Sequence, residues 1–443
     1  MLRSTVARNV GRITAMAVPD VPVSAEPSPG RVERRMLIGI MLSLNSLMFL
    51  LTSQIIGRED DSTSSTAEIV WTCVYLYALV GLIVERKRAA VAFRMSWPII
   101  VLVALALLST LWSPQPDQTA KRAFGLLGTT LIGYYIGCRF KLSDFMECLV
   151  ISTCISAILS IVAIVVFPQI GVMQDEYAGA WSGVYGQKNN LAGAMVVGII
   201  SAVLLAISSK GRRRWVYTAM TVLFVGLLFG SRSVTSLLAA GGVVALIPLM
   251  LLMRSKRSAL HTGLAIFLSS GLVAIVVLAL GINAQTIFDF LGRDSTLTGR
   301  TDVWQYVMSA IGDRPFFGWG YKAFWLPEGP VQQYITSEWF PYHAHNGFLE
   351  AALDIGIVGT SVFVVGWLVG MWNAVRLVLR STATVTRWPL LMMIYYFVSL
   401  ITEAGIAGYN TLVWVVFVAV FVYAIPPLKE KLPHTFAAWS MRR

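Results

Sequence analysis

Twelve apolar runs, most of them near the length that crosses a bilayer, constrain the fold of this chain more than any other feature. A spanning helix needs about 20 predominantly apolar residues. Within lipid, every backbone polar group must find a partner in the protein, which leaves helices and closed barrels. The runs are unbroken rather than alternating, so we predict an all-α, polytopic transmembrane bundle of about 12 spans. The candidate spans are 36–57, 67–84, 97–112, 123–137, 145–167, 190–208, 215–230, 233–253, 259–282, 346–375, 388–408 and 411–427.

Composition excludes several classes of protein. Hydrophobic residues make up 56% of the chain and charged residues only 13%, whereas an ordinary soluble chain has about 25% charged residues. A soluble enzyme, a disordered scaffold and a fibrous protein are therefore excluded. The net charge of +12 does not indicate nucleic-acid binding, because the basic residues form short clusters between the apolar runs. The four cysteines include no Cys-x-x-Cys pair, so neither a disulfide framework nor a metal site is indicated.

Lysine and arginine predict the orientation, because they are retained on the cytoplasmic side of a membrane. Most of the 35 basic residues lie in the two tails or in alternate gaps between the spans, which predicts that both termini are cytoplasmic. The predicted organisation is a tail over 1–35, nine transmembrane helices over 36–282, a long outer loop over 283–345, three further helices over 346–427 and a second tail over 428–443.

Nine basic residues break this sorting and need a local reason. They are Arg58, Lys121, Arg122, Lys188, Arg232, Arg293, Arg300, Arg314 and Lys322. An arginine within a span costs at least ~2.5 kcal/mol unless it finds a partner. Arg232 lies between two apolar runs and has no acidic neighbour in sequence. It either belongs to a short outer turn whose side chain reaches the interface or forms an anion site that faces outward.

The outer loop is too long for a mere connection. An apolar stripe at helical spacing predicts an amphipathic helix over 300–312 that lies on the outer face of the membrane and ends before Pro315. The stripe consists of Val303, Trp304, Val307, Met308 and Ile311. Six aromatic residues follow, which either anchor the interface or form a platform for sugar rings or a lipid headgroup. These residues are Phe316, Phe317, Trp319, Tyr321, Phe324 and Trp325.

Two of the four histidines, His343 and His345, share the predicted outer side with Arg300. Imidazole has an unperturbed pKa near ~6.5, so a role as a base is the leading interpretation for one of them. Structural hydrogen bonding is a second interpretation. Metal binding by His-x-His is a third, but no neighbouring Cys, His or carboxylate cluster completes such a site. We therefore predict no metal and no cofactor.

A second outer loop, over about 168–189, leads into a predicted span that begins near Lys188. A lysine there adds to the positive end of the helix, where an anion could bind. An ordinary turn with an interfacial lysine explains the residue equally well.

The polar residues predicted on the outer side offer cations and a base, but no pair of carboxylates, which disfavours glycoside hydrolysis by two acids. They suit a substrate that carries its own good leaving group, such as a sugar on a lipid diphosphate. Arginine donates bidentate hydrogen bonds to phosphate oxygens, so two arginines can replace the usual divalent ion. One histidine is enough to activate the attacking hydroxyl. The set is Lys188, Arg232, Arg300, His343, His345 and Asn346.

Five motifs, in this order and spacing, resemble the O-antigen ligase and polysaccharide polymerase superfamily. Those shared with the whole superfamily are Gly-Arg-Thr-Asp-Val-Trp at 299–304, Asp-Arg-Pro-Phe-Phe-Gly-Trp-Gly at 313–320 and His-Ala-His-Asn-Gly-Phe-Leu-Glu at 343–350. Gly-Gln-Lys-Asn-Asn-Leu-Ala at 186–192 and Ser-Arg-Ser-Val-Thr-Ser at 231–236 are more similar to the exopolysaccharide-polymerase branch. The resemblance covers roughly 180 to 360, and the flanking spans match in topology alone.

This resemblance implies an inverting, metal-independent glycosyltransferase of a bacterial inner membrane. It would transfer glycan from undecaprenyl diphosphate to a glycan or lipid-linked acceptor at the periplasmic face. Arg232 and Arg300 would hold the diphosphate and His345 would activate the acceptor, with His343 as a second candidate. Lys188, His343, Asn346 and Trp304 are the predicted substrate-binding residues. Further candidate partners are membrane lipids and flippase, chain-length and export proteins. Polymerisation of repeat units is favoured over ligation to lipid A-core by motif likeness alone.

Two other classes of protein are weighed against this one. A transporter or lipid-linked glycan flippase would place ionisable groups near the middle of the membrane, and Glu403 is the best such residue. Its alternative, which we favour, is a carboxylate at the outer end of a span that pairs with a neighbouring span. A non-enzymatic scaffold explains neither the long outer loop nor its basic residues. The sequence does not determine the sugar, the linkage, the acceptor or the oligomeric state.

Overall fold

The computed structural model of the protein describes residues 29–47, 65–174, 177–252, 297–334, 343–403 and 405–425, and only the backbone at 46, 47, 65, 66, 252, 297–302 and 402. These residues form helices joined by turns and contain no strand. The helices are α1 Arg31–Leu42, α2 Ser65–Val84, α3 Arg86–Met95, α4 Trp97–Leu108, α5 Pro116–Arg139, α6 Leu142–Val166, α7 Lys188–Ser208, α8 Gly211–Gly230, α9 Val234–Leu252, α10 Leu297–Asp313, α11 Gly347–Arg380, α12 Trp388–Thr402 and α13 Leu412–Tyr423.

The predicted fold class, an all-α polytopic membrane protein, is confirmed. Among the described residues, six helices are long and apolar enough to cross a membrane, and α3 with α4 forms a seventh candidate that bends by 82°. The six spans are Ala67–Val84, Leu142–Val166, Lys188–Ser208, Val234–Leu251, Gly347–Arg380 and Thr384–Ile401. The predicted span 259–282 lies outside the described residues, as does the second half of 36–57. The number of spans, the orientation and the division into tails, helices and outer loop stay predictions.

α7 lies at the centre of the bundle and packs against α6, α8, α9 and α12. Small residues allow this close approach. A Cβ added at Gly198 would lie 2.9 Å from the side chains of both Thr153 on α6 and Phe224 on α8. The buried core is therefore made by helix faces turned toward one another, while residues such as Val165 and Leu368 on the outward faces are exposed in the isolated chain.

Helix α12 ends earlier than the apolar pattern predicts. The predicted span 388–408 is helical only to Thr402, because Glu403 has extended backbone angles. Ala407 and Asn410 then adopt left-handed conformations with φ of 51° and 53°. A hydrogen bond from the backbone N–H of Asn410 to the Thr129 hydroxyl (2.8 Å) ties this turn to α5. Residues 405–411 are therefore a turn in which Ile406 and Ala407 are buried, although 405–408 read as the continuation of an apolar helix.

Helix α11 is broken at Gly356, which has φ 69° and ψ −174° inside an otherwise helical run. A break of this kind removes two hydrogen bonds of the α-helical i to i−4 pattern, those from Ile357 to Leu353 and from Val358 to Asp354. The backbone of 315–320 replaces both. Pro315 and Phe316 accept from the N–H groups of Ile357 and Val358 at 2.8 and 3.2 Å, while the carbonyls of Leu353 and Asp354 accept from Trp319 and Gly320 at 2.7 and 3.0 Å.

The predicted amphipathic helix 300–312 is present as α10, which ends at Asp313, and one of its faces packs on protein. Its predicted place on the outer face of the membrane stays a prediction. Val303, Val307 and Ala310 are buried in a cluster with Trp319, Phe324 and Leu353. Met308 is 58% exposed, so its place in the predicted stripe is wrong. At about 100° per residue, position 308 lies about 140° around the helix from position 303.

The aromatic run after α10 has a role that neither sequence interpretation anticipated. Trp319, Tyr321 and Phe324 are buried. Of the six aromatic residues, only Phe316 and Phe317 are at least half exposed. Most of these rings are therefore core residues that hold 314–334 against the bundle, and only the first two are open to contact lipid or substrate.

The end of the bundle opposite to this segment carries a network of ion pairs. Arg139 bonds Glu33 at 2.7 Å and Glu85 at 3.2 Å, and Arg34 bonds Asp144 at 2.6 Å. The hydrogen bond from Arg139 is the main reason that the pKa of Glu33 lies below its usual value. Arg34 and Arg139, two of the basic residues that predicted a cytoplasmic side, thus form ion pairs at this end, and the orientation stays a prediction.

Replacement of Gly356 by alanine is expected to destabilise the protein. An alanine at this backbone conformation costs about 1–3 kcal/mol, and its Cβ would lie 2.2 Å from the backbone of Phe316. Gly226→Ala is the matched control, because a Cβ there meets nothing within 4 Å. The measurement is thermal unfolding in detergent. Equal melting temperatures for the two variants would contradict the assigned role of the break.

The orientation can be tested with single cysteines in a background in which the four native cysteines are serine. Lys210 and Glu328 are both exposed and lie at opposite ends of the bundle. With cytoplasmic termini, Glu328→Cys should react with a membrane-impermeant maleimide in intact spheroplasts, and Lys210→Cys only after lysis. The reverse pattern would show that the bundle is inverted.

Candidate active site

Arg232 lies in the tight turn that joins α8 to α9, as one sequence interpretation expected. Its backbone is left-handed with φ 51°, and its side chain is exposed. The loop before α7 holds this turn, because the backbone N–H of Trp181 donates to the carbonyl of Gly230 at 3.0 Å. A Cβ on Gly179 would lie 3.3 Å from the Arg232 guanidinium. The absence of a side chain at 179 thus leaves room for the guanidinium beside this loop.

Lys188 is the first residue of α7 and is only 8% exposed. Its ammonium lies 3.4 Å from the centre of the Tyr177 ring, where the ring quadrupole attracts a cation. The interpretation of this residue as an ordinary interfacial lysine is therefore wrong, because the side chain is turned into the protein. Its proposed contact with an anionic substrate stays a prediction.

Asn189 connects the Arg232 turn to α12. Its amide donates to the Glu403 carboxylate at 2.8 Å, and its amide oxygen accepts from the Ser233 hydroxyl at 3.0 Å. Glu403 thus pairs with a neighbouring span, as the favoured interpretation of this residue predicted. Three helix termini, those of α7, α9 and α12, meet at this amide.

Asn346 connects the same end of α12 to the histidines. It caps α11 by accepting from the N–H groups of Phe348 and Leu349 at 2.9 and 3.1 Å, and its amide donates to the Ile401 carbonyl at 3.4 Å. An asparagine at this position satisfies donors that a helix N-terminus otherwise leaves open. The side chain predicted to bind substrate therefore also starts the helix.

The two histidines lie side by side immediately before this cap. Their ring centres are 4.0 Å apart, with planes at 77°, and His345 has a left-handed backbone with φ 50°. Trp304 of α10 donates its indole N–H to the carbonyl of Ala344, between the two histidines, at 2.8 Å. This bond uses the polar atom of Trp304, so only its ring remains for a substrate.

The structure therefore brings most of the predicted site residues to one end of the bundle. The path runs from the Arg232 turn through Ser233, Asn189 and Glu403 to Ile401, and then to the cap that follows His345. Arg300 lies in the first turn of α10, one helical turn before Trp304, but its side chain is outside the described part of the chain. Its predicted diphosphate contact stays a prediction.

A buried ion network under the histidines is the part of the site that the sequence interpretation missed. Glu350 and Asp354, one turn apart on α11, are 3% and 2% exposed. The Lys322 ammonium lies 3.1 Å from Glu350 and 3.0 Å from Asp354. Removal of one partner from a buried ion pair typically costs about 3–5 kcal/mol. Two features of the sequence could have indicated this network. Glu350 and Asp354 are four residues apart, which places both carboxylates on one face of a helix, and Lys322 is one of the nine basic residues that break the sorting.

Lys322 stays charged in this setting. Burial by itself would lower the pKa of its ammonium, but the carboxylates of Asp354 and Glu350 raise that pKa above its ordinary value. Three other basic residues that break the cytoplasmic sorting also have local partners at this end of the bundle. Lys121 lies 3.8 Å from Glu68, Arg122 donates to the Lys322 carbonyl at 2.6 Å, and Arg314 lies 4.2 Å from the centre of the Trp319 ring.

This arrangement offers the exposed guanidinium of Arg232, the buried ammonium of Lys188 and the imidazole pair, all at helix ends. Guanidinium groups bind phosphate oxygens, and an imidazole can accept a proton. Within the described residues, no three His, Cys, Asp or Glu side chains lie close enough together to hold a metal ion.

The fold and this site define a multi-pass helical membrane protein with a cationic and imidazole site at one end. A family model described as O-Antigen ligase matches residues 219–364, which include Arg232, Arg300 and both histidines. Residues 219–364 are therefore similar to the O-antigen ligase family, as the motifs predicted.

Two curated relatives support this assignment. The "Exopolysaccharide production protein ExoQ" of Rhizobium meliloti (strain 1021) is 28% identical over 198 residues, 42% of this chain and 45% of that protein. A "Putative polysaccharide ligase" of Rickettsia felis is 27% identical over 171 residues, 37% of this chain and 40% of that protein. The matched part of the chain thus spans less than half the length of each relative.

The Asn189–Glu403 bond can be tested by exchanging its two groups. Asn189→Asp places a carboxylate against the Glu403 carboxylate, and we expect a loss of about 1–3 kcal/mol in the free energy of unfolding. Addition of Glu403→Gln should restore the bond with donor and acceptor reversed, while the Ser233 hydroxyl still finds an oxygen at position 189. Thermal unfolding of the single and double variants measures the coupling. A double variant no more stable than Asn189→Asp would show that the bond does not hold the helix ends together.

Proposed function

We propose that this protein is an inverting, metal-independent membrane glycosyltransferase that polymerises undecaprenyl-diphosphate-linked glycan repeat units. The reaction would take place at the periplasmic face of the bacterial inner membrane. The observation that carries the proposal is the convergence of the Arg232 turn and the His343–His345 pair, through Asn189 and Glu403, at one end of the bundle. The family match, which includes all of these elements except Asn189 and Glu403, supports it.

The chemistry requires few groups from the protein. An acceptor hydroxyl oxygen attacks the anomeric carbon of the donor sugar, the bond from that carbon to the diphosphate oxygen breaks, and undecaprenyl diphosphate leaves with the bonding electrons. Its negative charge needs neutralisation rather than a proton. Arg232 and Arg300 would supply it, at roughly 1.5–3 kcal/mol for each charged hydrogen bond. Attack from the side opposite the leaving group inverts the anomeric configuration.

His345 is the proposed base that takes the proton from the acceptor hydroxyl. General base catalysis of this kind contributes roughly 10²–10⁴-fold to the rate. The neighbouring ring of His343, 4.0 Å away between centres, limits how His345 can turn. Lys188, His343, Asn346 and the ring of Trp304 are proposed to contact the lipid-linked substrate.

Polymerisation is favoured over ligation by the motif likeness and by the names of the relatives. The relative with the higher identity over the longer match is named for exopolysaccharide production, whereas the others carry the name of polysaccharide ligase. The product distinguishes the two reactions, since a polymerase extends repeat units and a ligase transfers glycan to a lipid core. The flippase, chain-length and export proteins of such a system are proposed as partners.

One observation bears on the alternative of a transporter. A broken helix such as α11 is typical of transporters, where the break lines an ion or substrate site. Here the freed backbone groups at the break bond to residues 315–320, and Glu403 is bonded to Asn189 at a helix end. The backbone groups at the break and the Glu403 carboxylate thus already have partners within the protein, whereas a transporter would use such groups to bind its ion or substrate. The glycosyltransferase is therefore preferred.

His345→Ala and Arg300→Ala are each expected to abolish polymer formation without loss of folded protein. The assay uses purified protein in liposomes with a purified lipid-linked repeat unit, with and without a chelator. Arg94→Ala, an exposed arginine on α3 at the opposite end, is the control and should form normal polymer. Normal polymer from both site variants would remove the catalytic assignment, and sensitivity to chelator would contradict metal independence. Movement of the lipid across the bilayer without chain growth would instead support a transporter.

A further inference from the structure

Ala344, the residue between the two histidines, is held at both of its backbone polar atoms. The N–H of Ala344 donates to the Glu350 carboxylate at 3.1 Å, and the carbonyl accepts from the indole of Trp304 at 2.8 Å. Ala344 itself is fully buried. A residue fixed in this way restricts the backbone torsions on both sides, and therefore restricts the placement of both imidazoles.

Glu350 is itself held from several directions. The oxygen that accepts from Ala344 also accepts from the indole N–H of Trp325 at 3.0 Å, and the other oxygen bonds the Lys322 ammonium at 3.1 Å. Hydrogen bonds to an ionised acceptor are about twice as strong as neutral ones. Because the carboxylate is 3% exposed, water does not compete with these donors.

We infer that Glu350 is a positioning residue for the histidine pair, and that it acts through the backbone of Ala344 rather than by contact with substrate. Trp304 acts on the carbonyl of the same residue. The inference rests on the proposed function, because it assigns to Glu350 the geometry that His345 needs to reach an acceptor hydroxyl. A base displaced by about 1 Å can lose roughly 100-fold in rate.

Asp354 supplies a matched control on the same helix. It has the same charge as Glu350, lies one turn further along α11, is equally buried and bonds the same ammonium at 3.0 Å. Asp354 also accepts from the backbone N–H of Lys322, whereas Glu350 accepts from the histidine segment and from the indole of Trp325. Loss of the ion pair and loss of the bond to Ala344 can therefore be separated.

The experiment compares full-length Glu350→Gln, Asp354→Asn and Trp304→Phe with the wild-type protein in liposomes, and measures melting temperature, kcat and KM for the lipid-linked repeat unit. Glu350→Gln and Trp304→Phe should each lower kcat by roughly 10- to 100-fold. KM should change little in Glu350→Gln, because that variant alters no group proposed to bind substrate. Trp304→Phe alters a ring proposed to contact substrate and is therefore judged by kcat alone. Asp354→Asn should lower the melting temperature as much as Glu350→Gln does, but leave kcat within about threefold of the wild type.

Three outcomes would overturn the inference: wild-type kcat in Glu350→Gln, an equal loss of kcat in Glu350→Gln and Asp354→Asn, or a loss expressed in KM alone. If Glu350→Gln does not fold, Trp304→Phe decides, and an unchanged kcat there overturns the inference.

If the wild-type protein forms no polymer, the proposed function fails and a chemical measurement decides instead. The rate at which diethyl pyrocarbonate modifies His343 and His345 should rise in Glu350→Gln but not in Asp354→Asn, and equal rates in all three proteins would overturn the positioning role.

Discussion

The break in α11 at Gly356 is the feature on which the rest of this end of the protein depends. A helix within a membrane cannot leave backbone groups unbonded, so the break requires another chain segment of matching geometry. The segment 315–320 meets that need with four backbone hydrogen bonds. This seals the helix and also places the end of α10, the buried aromatic residues and Lys322 against α11. The histidines, which precede α11, therefore lie on a helix whose broken turn is held by residues 315–320.

The charged groups of this end fall into two kinds. Lys322, Glu350 and Asp354 are buried and bonded to one another, so their charges are used inside the protein. Arg232 is exposed on a turn between two helices, so its charge faces outward. The two kinds differ in burial, a distinction that the residue types in an apolar sequence do not reveal.

How far the sequence predicts this molecule can be judged from particular elements. The unbroken apolar runs predicted α2, α6, α7, α8 and α9 within a few residues, and Pro315 predicted the end of α10. The same reasoning extended α12 through 405–408, because an apolar turn held by hydrogen bonds to α5 looks like helix in a one-dimensional pattern. It assigned Trp319, Tyr321 and Phe324 to the interface or a substrate platform, because hydrophobicity does not specify whether a ring meets lipid or protein. Asn189 was quoted only as part of a motif, and its bond to Glu403 was unforeseen.

Apolar length by itself determined that this is a polytopic helical membrane protein, and the motif order determined its likeness to the O-antigen ligase family. These properties depend on the transfer of side chains between water and lipid, which each segment undergoes independently. Only the tertiary structure decided that Arg232 and His345, more than a hundred residues apart, share one end through Asn189 and Glu403, and that Glu350 bonds the backbone between the histidines. Hydrogen bonds of this kind depend on distances of about 3 Å between distant segments, which no local pattern contains.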